Sequence, residues 1–328
     1  MLVTGPNGAG KTNLLEALHV GTQGFSPRAR SDAQLVRVGS PAGRVTLRGL
    51  NDAHGFEADV VLSPTASRRA RLNGAALRSP EALRHSFRTL AFTPDRLALV
   101  KGGPAVRRAY VDRSLARLLP ARASLPQEYA AAVGQRNAAL RRIAAGASSH
   151  EALDPWTEHV VATGSALVDA RAEAVELLRS PFASRADELG LAAAEIAYEG
   201  DRPTVAALEH RLERDVERGA TGIGPHLHDL AISAASRDLR GFGSQGEQRT
   251  AVLALVLAEA DALAERTGAT PLVLLDDVLS ELDGQHRRAL AGILASGGQT
   301  VITATSPDAF PGAPAQSLTV EAGKVRAG

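Results

Sequence analysis

The sequence is 328 residues long, more than one ordinary domain holds and about right for two. With 44% hydrophobic and 22% charged residues it is globular, and a cysteine count of 0 excludes disulfides, thiolate metal sites and cysteine nucleophiles. A formal charge of +1 excludes an overall polycation, so any nucleic-acid contact has to be a local, arginine-based patch. No apolar run approaches the ~20 residues that span a bilayer and no signal-peptide pattern opens the chain, so a cytoplasmic protein without a membrane partner is expected.

Met1-Leu2-Val3-Thr4 reads as the end of a buried strand, and Gly5-Pro6-Asn7-Gly8-Ala9-Gly10-Lys11-Thr12 then matches G-x-x-x-x-G-K-[ST] at every fixed position. Glycines let backbone N–H groups approach phosphate oxygens with no Cβ in the way. Lys11 supplies a point charge for the β- and γ-phosphates, and the Thr12 hydroxyl suits Mg²⁺. Asn13 to Leu18 reads as the following helix, whose N-terminal dipole favours anions. Four residues before the loop are few for a strand that needs a sheet around it, so further strands are expected upstream.

Ser31 to Gly39 reads as a polar turn leading into a short helix or strand. Residues 44–50 and 56–62 alternate with the period of half-exposed strands. Arg68-Arg69-Ala70-Arg71-Leu72 and Ala75-Ala76-Leu77, joined by Asn73-Gly74, form a hairpin signature, since Asn-Gly suits a type I′ turn. Leu90 to Pro94 is a return strand ended by proline. From about residue 95 to 218 the pattern is helical. Tyr129, Val133, Leu140 and Ile143 share one face, and so do Trp156, Val160, Thr163, Leu167, Ala170, Ala174 and Leu178. Ser180-Pro181 is expected to end the second of these helices. A further helix runs from Thr204 through Val205, Leu208, Leu212 and Val216 to a stop at Gly219.

The last third returns to α/β. A long helix follows Gly243-Ser244-Gln245-Gly246 and stops at Gly268. Pro271 to Leu275 is a continuous apolar run, as in a strand buried on both faces. A helix from Asp283 to Leu294 and a strand at Thr300 to Thr303 complete a β-α-β pattern, hence parallel pairing. Asp276 and Asp277 follow the apolar strand as Walker B acids do: Asp276 is placed to hold Mg²⁺ beside Thr12, and Asp277 to polarise the attacking water. His226, His228 and Asp229 read as a polar loop rather than a metal site.

Ser244-Gln245-Gly246-Glu247-Gln248 is similar to the signature loop of ABC-type ATPases, and Ser280-Glu281-Leu282-Asp283 resembles the D-loop. Taken with Thr12 to Ala17, Phe92 to Asp95, Leu99 to Pro104, Arg107-Arg108, Gln135 to Ala138, Gly224-Pro225-His226 and Leu274 to Asp283, the sequence resembles the RecF family in the SMC-like branch of ABC-type ATPases. The resemblance implies an α/β fold: an ABC-type ATPase head over 1–94 and 219–328, with a mixed sheet of parallel core plus antiparallel part, and an inserted helical arm lobe over 95–218. It implies an ATP-driven homodimer on gapped DNA that works with RecO and RecR to load recombinase and supports SOS induction, with slow ATP hydrolysis. Ser244 would cap the γ-phosphate held by the other subunit, and Gln248 would reach the nucleotide. Catalytic roles would fall to Lys11, Asp276, Asp277 and Ser244. DNA candidates are Arg68, Arg69 and Arg71 on the hairpin and Arg136, Arg141 and Arg142 on the arm. In one departure, the family's Arg-Asp-Asp-Leu after Gly-Pro-His is here Leu227-His228-Asp229-Leu230. A transporter-type ABC subunit and a nucleotide-binding-defective interaction module are the alternatives.

Overall fold

The computed structural model describes residues 1–51 and 54–327. In chain order, strand β1 (Leu2–Thr4) feeds a loop and helix α1 (Lys11–Gln23), followed by β2 (Gly43–Asn51), β3 (His54–Leu62), β4 (Arg69–Leu72), β5 (Ala75–Ala76) and β6 (Thr89–Phe92). Helices α2 (Ala98–Lys101), α3 (Pro104–Leu118), α4 (Leu125–Ala144) and α5 (Asp154–Glu188) come next, then β7 (Ala194–Glu199), α6 (Val205–His210) and α7 (Leu212–Arg218). After them lie β8 (Asp229–Ala234), β9 (Arg237–Asp238), α8 (Leu239–Phe242), α9 (Gln245–Thr267), β10 (Leu272–Leu275), α10 (Gly284–Ser296), β11 (Thr300–Ala304), β12 (Ser317–Glu321) and β13 (Lys324–Ala327). Two compact units emerge, Met1–Arg96 with Leu263–Gly328, and Leu97–Ala262.

In the unit that holds both chain ends, six strands run in the order β13-β12-β1-β11-β10-β6. All neighbours pair in parallel except β12 with β13. The three residues of β1 pair along both edges, Leu2 aligning with Ile302 on one side and Ser317 on the other. Its loop therefore leaves mid-sheet, at the carboxyl ends of the strands, where α/β folds bind ligands. β2 to β5 form a separate antiparallel meander. Asn73 (φ 50°) and Gly74 (φ 82°) both adopt the left-handed backbone that the expected type I′ turn requires. Helix α1 serves two cores: Leu15 packs with Val3, Leu274 and Val301, whereas Val20 packs with Ala58, Val60 and Ala70 of the meander. At Gly21 an added Cβ would lie 2.4 Å from Leu47 Cδ1, so a larger residue would make the Leu47 side chain shift. The polar stretch after α1 forms a single 3-10 turn at Asp32–Gln34.

The other unit is helical at its core, with buried Tyr129, Ala132 and Leu140 from α4 and Val160, Leu167, Ala170, Ala174 and Leu178 from α5. Four expectations are corrected in this unit. Helix α5 does not end at Ser180 but runs through Pro181 to Glu188. Losing one backbone bond costs about 3 kcal/mol, and the turn beyond offsets it by burying Phe182 and Ala186 and pairing Arg185 with Asp261 at 2.6 Å. Trp156, placed on the core face by its spacing, is 37% exposed. The helix expected from Thr204 to Gly219 is broken at Arg211, with Thr204 capping α6 through Ala207 N–H and Gly219 closing α7 in the left-handed conformation. In the stretch read as wholly helical, β7 pairs antiparallel with β8 to build a three-stranded sheet with β9. Its alternation over Ala194–Glu199 is short, and long-range pairing rather than local pattern makes it a strand.

Candidate functional site

Loop Gly5–Gly10 is shaped by its glycines. Gly5 (φ 149°) passes so close to β12 that a Cβ would sit 2.2 Å from the Val320 carbonyl oxygen. Gly8 (φ 78°) and Gly10 (φ 108°) take backbone angles that side chains resist. Ala9 N–H donates to the Pro6 carbonyl at 3.2 Å, and the Ala9 carbonyl accepts from Gly323 N–H at 2.9 Å, so the β12–β13 turn braces the loop. Lys11, at the start of α1, folds its buried ammonium back to donate to the carbonyls of Gly5 (2.8 Å) and Pro6 (3.0 Å). A cation, a helix start and a glycine loop come together here, the arrangement that suits a phosphate group.

Asp276 leaves the end of β10, only 4% exposed, with its N–H donating to the Phe92 carbonyl at 3.0 Å. Its Oδ1 accepts from the Thr12 hydroxyl at 3.0 Å and from the Thr303 hydroxyl at 2.9 Å. Thr303 also accepts from Asp277 N–H at 2.8 Å. It thereby fixes both acids, and the sequence reading missed it, although a polar residue ending the apolar run Val301-Ile302 is a visible clue. Asp277, next along, is exposed and held at φ 51°, whereas Asp276 is buried. Ser280 donates to the Asp277 carbonyl at 3.0 Å, and Asp283 caps α10 through Gln285 and His286 N–H.

In the helical unit, Ser244 and Glu247 form a reciprocal cap on α9. Glu247 N–H donates to Ser244 Oγ at 3.2 Å, and Ser244 N–H to Glu247 Oε2 at 2.7 Å. That backbone bond holds the Glu247 carboxyl below its usual range. Ser244 Oγ accepts here, which leaves its proton free to donate outward, and the residue is exposed. Gln248 corrects the sequence reading: it is 4% exposed and turned inward, its Nε2 donating to the Leu239 carbonyl at 2.7 Å, so it anchors α8 instead of reaching a ligand.

The basic candidates separate. Arg69 and Arg71 flank buried Ala70 on β4 and are exposed, as are Arg141 and Arg142 in the last turn of α4. Arg68 is instead bound by Asp32 Oδ1 and the Gly24 carbonyl. Arg136 is 1% exposed and paired at 2.9 Å with fully buried Asp215. Its position on α4 turns it into the unit rather than to solvent, so it leaves the list of DNA contacts.

The Gly224–Asp229 loop is a polar brace. His226 accepts or donates with Tyr129 Oη (2.7 Å) and the Thr221 carbonyl (2.9 Å), and His228 with Tyr198 Oη (2.9 Å). Burial holds both imidazoles below their ordinary pKa and raises that of Tyr129. Arg107 grips both oxygens of Asp229 at 2.6 Å, and Arg171 donates to the Pro225 carbonyl at 2.6 Å. Burial alone would raise the Asp229 carboxyl, but the Arg107 bonds outweigh it and the net direction is down. No cluster of three or more His, Cys, Asp or Glu suited to a metal occurs among the described residues.

A glycine loop between β1 and α1, an acid pair at the end of β10 in the same parallel sheet, and an antiparallel meander over the same helix define the head of an ABC-type P-loop ATPase of the SMC-like class. The model for the RecF/RecN/SMC N-terminal domain matches residues 1–324. The chain belongs to that family and, within it, to the RecF family of DNA replication and repair proteins. It is 37% identical over 321 residues to DNA replication and repair protein RecF of Acidothermus cellulolyticus, covering 91% of this chain and 85% of that one. It is 37% identical over 319 residues to RecF of Moorella thermoacetica. A structure of the recombination mediator protein RecF with ATP, in the RecFOR pathway, superposes with TM-score 0.83 at 26% identity over 99% of this chain and 92% of that one. An Smc head domain of Pyrococcus furiosus (TM-score 0.57, 14% identity) shares the fold. No helix among the described residues is long and apolar enough to cross a membrane, and the matched family is not that of transporter subunits.

Proposed function

We propose that this chain is an ATP-dependent DNA-binding mediator that works as a two-state clamp. ATP binds in the Gly5–Thr12 cradle, and a second copy covers it with Ser244. The observation that carries this reading is the convergence of Thr12 and Thr303 on buried Asp276 beside the cradle. Thr12 and Asp276 are the residues that would hold Mg²⁺: a hydroxyl and a carboxylate oxygen already adjacent are the hard donors it takes, and it would neutralise phosphate charge. Exposed Asp277 is the group that polarises water in a slow, DNA-dependent hydrolysis. Residues 1–94 and 219–328 act as the head and 95–218 as the arm. The work is done in the cytoplasm, with RecO and RecR as partners in loading recombinase and in SOS induction.

The clamp follows from differential affinity. ADP has no γ-phosphate for Ser244, so hydrolysis removes interface and the copies part. Sedimentation of wild type should give a dimer with ATP and a monomer with ADP. Ser244→Arg should remain monomeric with ATP while each protomer binds ATP as before; a Ser244→Arg dimer would contradict the assignment.

Exposed Arg69 and Arg71, with Arg141 and Arg142, are the phosphate contacts this reading retains. Arg69→Glu with Arg71→Glu should weaken duplex binding for all sequences and lower the salt slope by about 2, one per lost contact. Unchanged affinity and slope would remove the hairpin from the interface.

A further inference from the structure

Of 7 phenylalanines in the chain, Phe242 is the one that stands exposed, at 74%; Phe92 and Phe182 are buried and the others half-buried. It closes the short helix α8, two residues before Ser244. That helix is fixed from several directions. Asp238 caps it through Arg240 and Gly241 N–H at 3.1 and 3.3 Å, and Leu239 is fully buried beneath it. The Leu239 carbonyl accepts from both Gly243 N–H (3.2 Å) and the buried Gln248 amide (2.7 Å). At Gly243 a Cβ would lie 2.6 Å from that carbonyl, so the chain passes from phenyl to serine by a path that only glycine follows. The backbone that carries the phenyl ring is thus tied on several sides, and Arg240 stands exposed beside it.

A large apolar side chain exposed to water on a turn with a tethered backbone is the form of an interface anchor. Its occupant is set by its neighbour: whatever surface carries the triphosphate to Ser244 must also approach Phe242. We propose that Phe242 is an anchor of the nucleotide-closed dimer, packing against a second copy of this chain at the rim of the phosphate that Ser244 covers. This rests on the clamp reading above. It adds that the seam is held by an aromatic contact as well as by the nucleotide, and that Gln248 serves the seam indirectly as a positioning residue for α8.

The test is sedimentation of the full chain with a non-hydrolysable ATP analogue, for wild type, Phe242→Ala and Phe242→Tyr, with nucleotide titration and thermal unfolding of each. Phe242→Ala should weaken the dimer about tenfold or more, with protomer nucleotide affinity and unfolding temperature unchanged. Phe242→Tyr should stay close to wild type. A wild-type dimer that Phe242→Ala leaves intact overturns the inference and spares the clamp, and so does a Phe242→Ala variant that loses DNA affinity alone. Loss of nucleotide affinity or folding in Phe242→Ala overturns it as well. A wild type that stays monomeric with the analogue overturns both.

Discussion

Lys11→Ala should bind ATP at least a hundredfold more weakly than wild type while unfolding at nearly the same temperature. The ammonium is the one side-chain cation of the loop, and it is held by two carbonyls at 2.8 and 3.0 Å. Those bonds orient it without neutralising it. A triphosphate offers anionic acceptors in their place, and truncating a buried, charge-assisted contact costs about 2–5 kcal/mol. At 1.4 kcal/mol per decade this is roughly 30- to several-thousand-fold in affinity. Fold stability is little affected, because the loop's shape comes from Gly5 against Val320 and Ala9 against Gly323 rather than from the lysine. Lys11→Arg should not rescue, since a planar guanidinium does not fit where the ammonium bends back to Gly5. Isothermal titration with ATP measures it, and affinity within threefold of wild type would show that the glycine loop alone carries the phosphate.

The nucleotide half of the chain was legible because its chemistry is local. Gly5 to Thr12 lie consecutively, Asp276-Asp277 follow their own strand, and Asn73-Gly74 encode a turn within one hairpin. Thr303 and Gly323 were not legible as site residues, because what matters about them is the strand order that sets β11 and β12 on either side of β1. The helical unit misled for the opposite reason. Pro181 carries a strong local penalty, and the burial of Phe182 outweighs it only once the rest of the unit is in place. Gln248 sits in a segment whose resemblance suggested a ligand contact, and Arg136 in a basic cluster that suggested DNA. Each carries enough polar atoms to serve either a ligand or an interior network, and only the fold decides which.

Arg136 makes that distinction measurable, for its removal should destabilise the helical unit by about 3–5 kcal/mol, the cost of leaving a buried charge without its partner. The pair is fully enclosed, at 1% and 0% exposure for Arg136 and Asp215. Arg136 Nη1 also donates to Thr221 Oγ1 at 2.9 Å, and Asp215 Oδ1 accepts from Gly222 N–H at 3.1 Å. Thr221 in turn donates through N–H and hydroxyl to Asn137 at 2.7 and 2.8 Å. The neighbours Arg136 and Asn137 on α4 therefore hold the turn that follows α7, just ahead of the Gly224–Asp229 brace. Arg136→Ala and Asp215→Ala should each lower the denaturation midpoint strongly. Arg136→Met combined with Asp215→Leu should lose less than the sum of the single changes, because neither charge is then stranded. Urea unfolding with a double-mutant cycle reads this directly. DNA affinity, measured where Arg136→Ala is still folded, should match wild type. A stable Arg136→Ala protein that fails to bind DNA would return this arginine to the nucleic-acid surface from which its burial removes it.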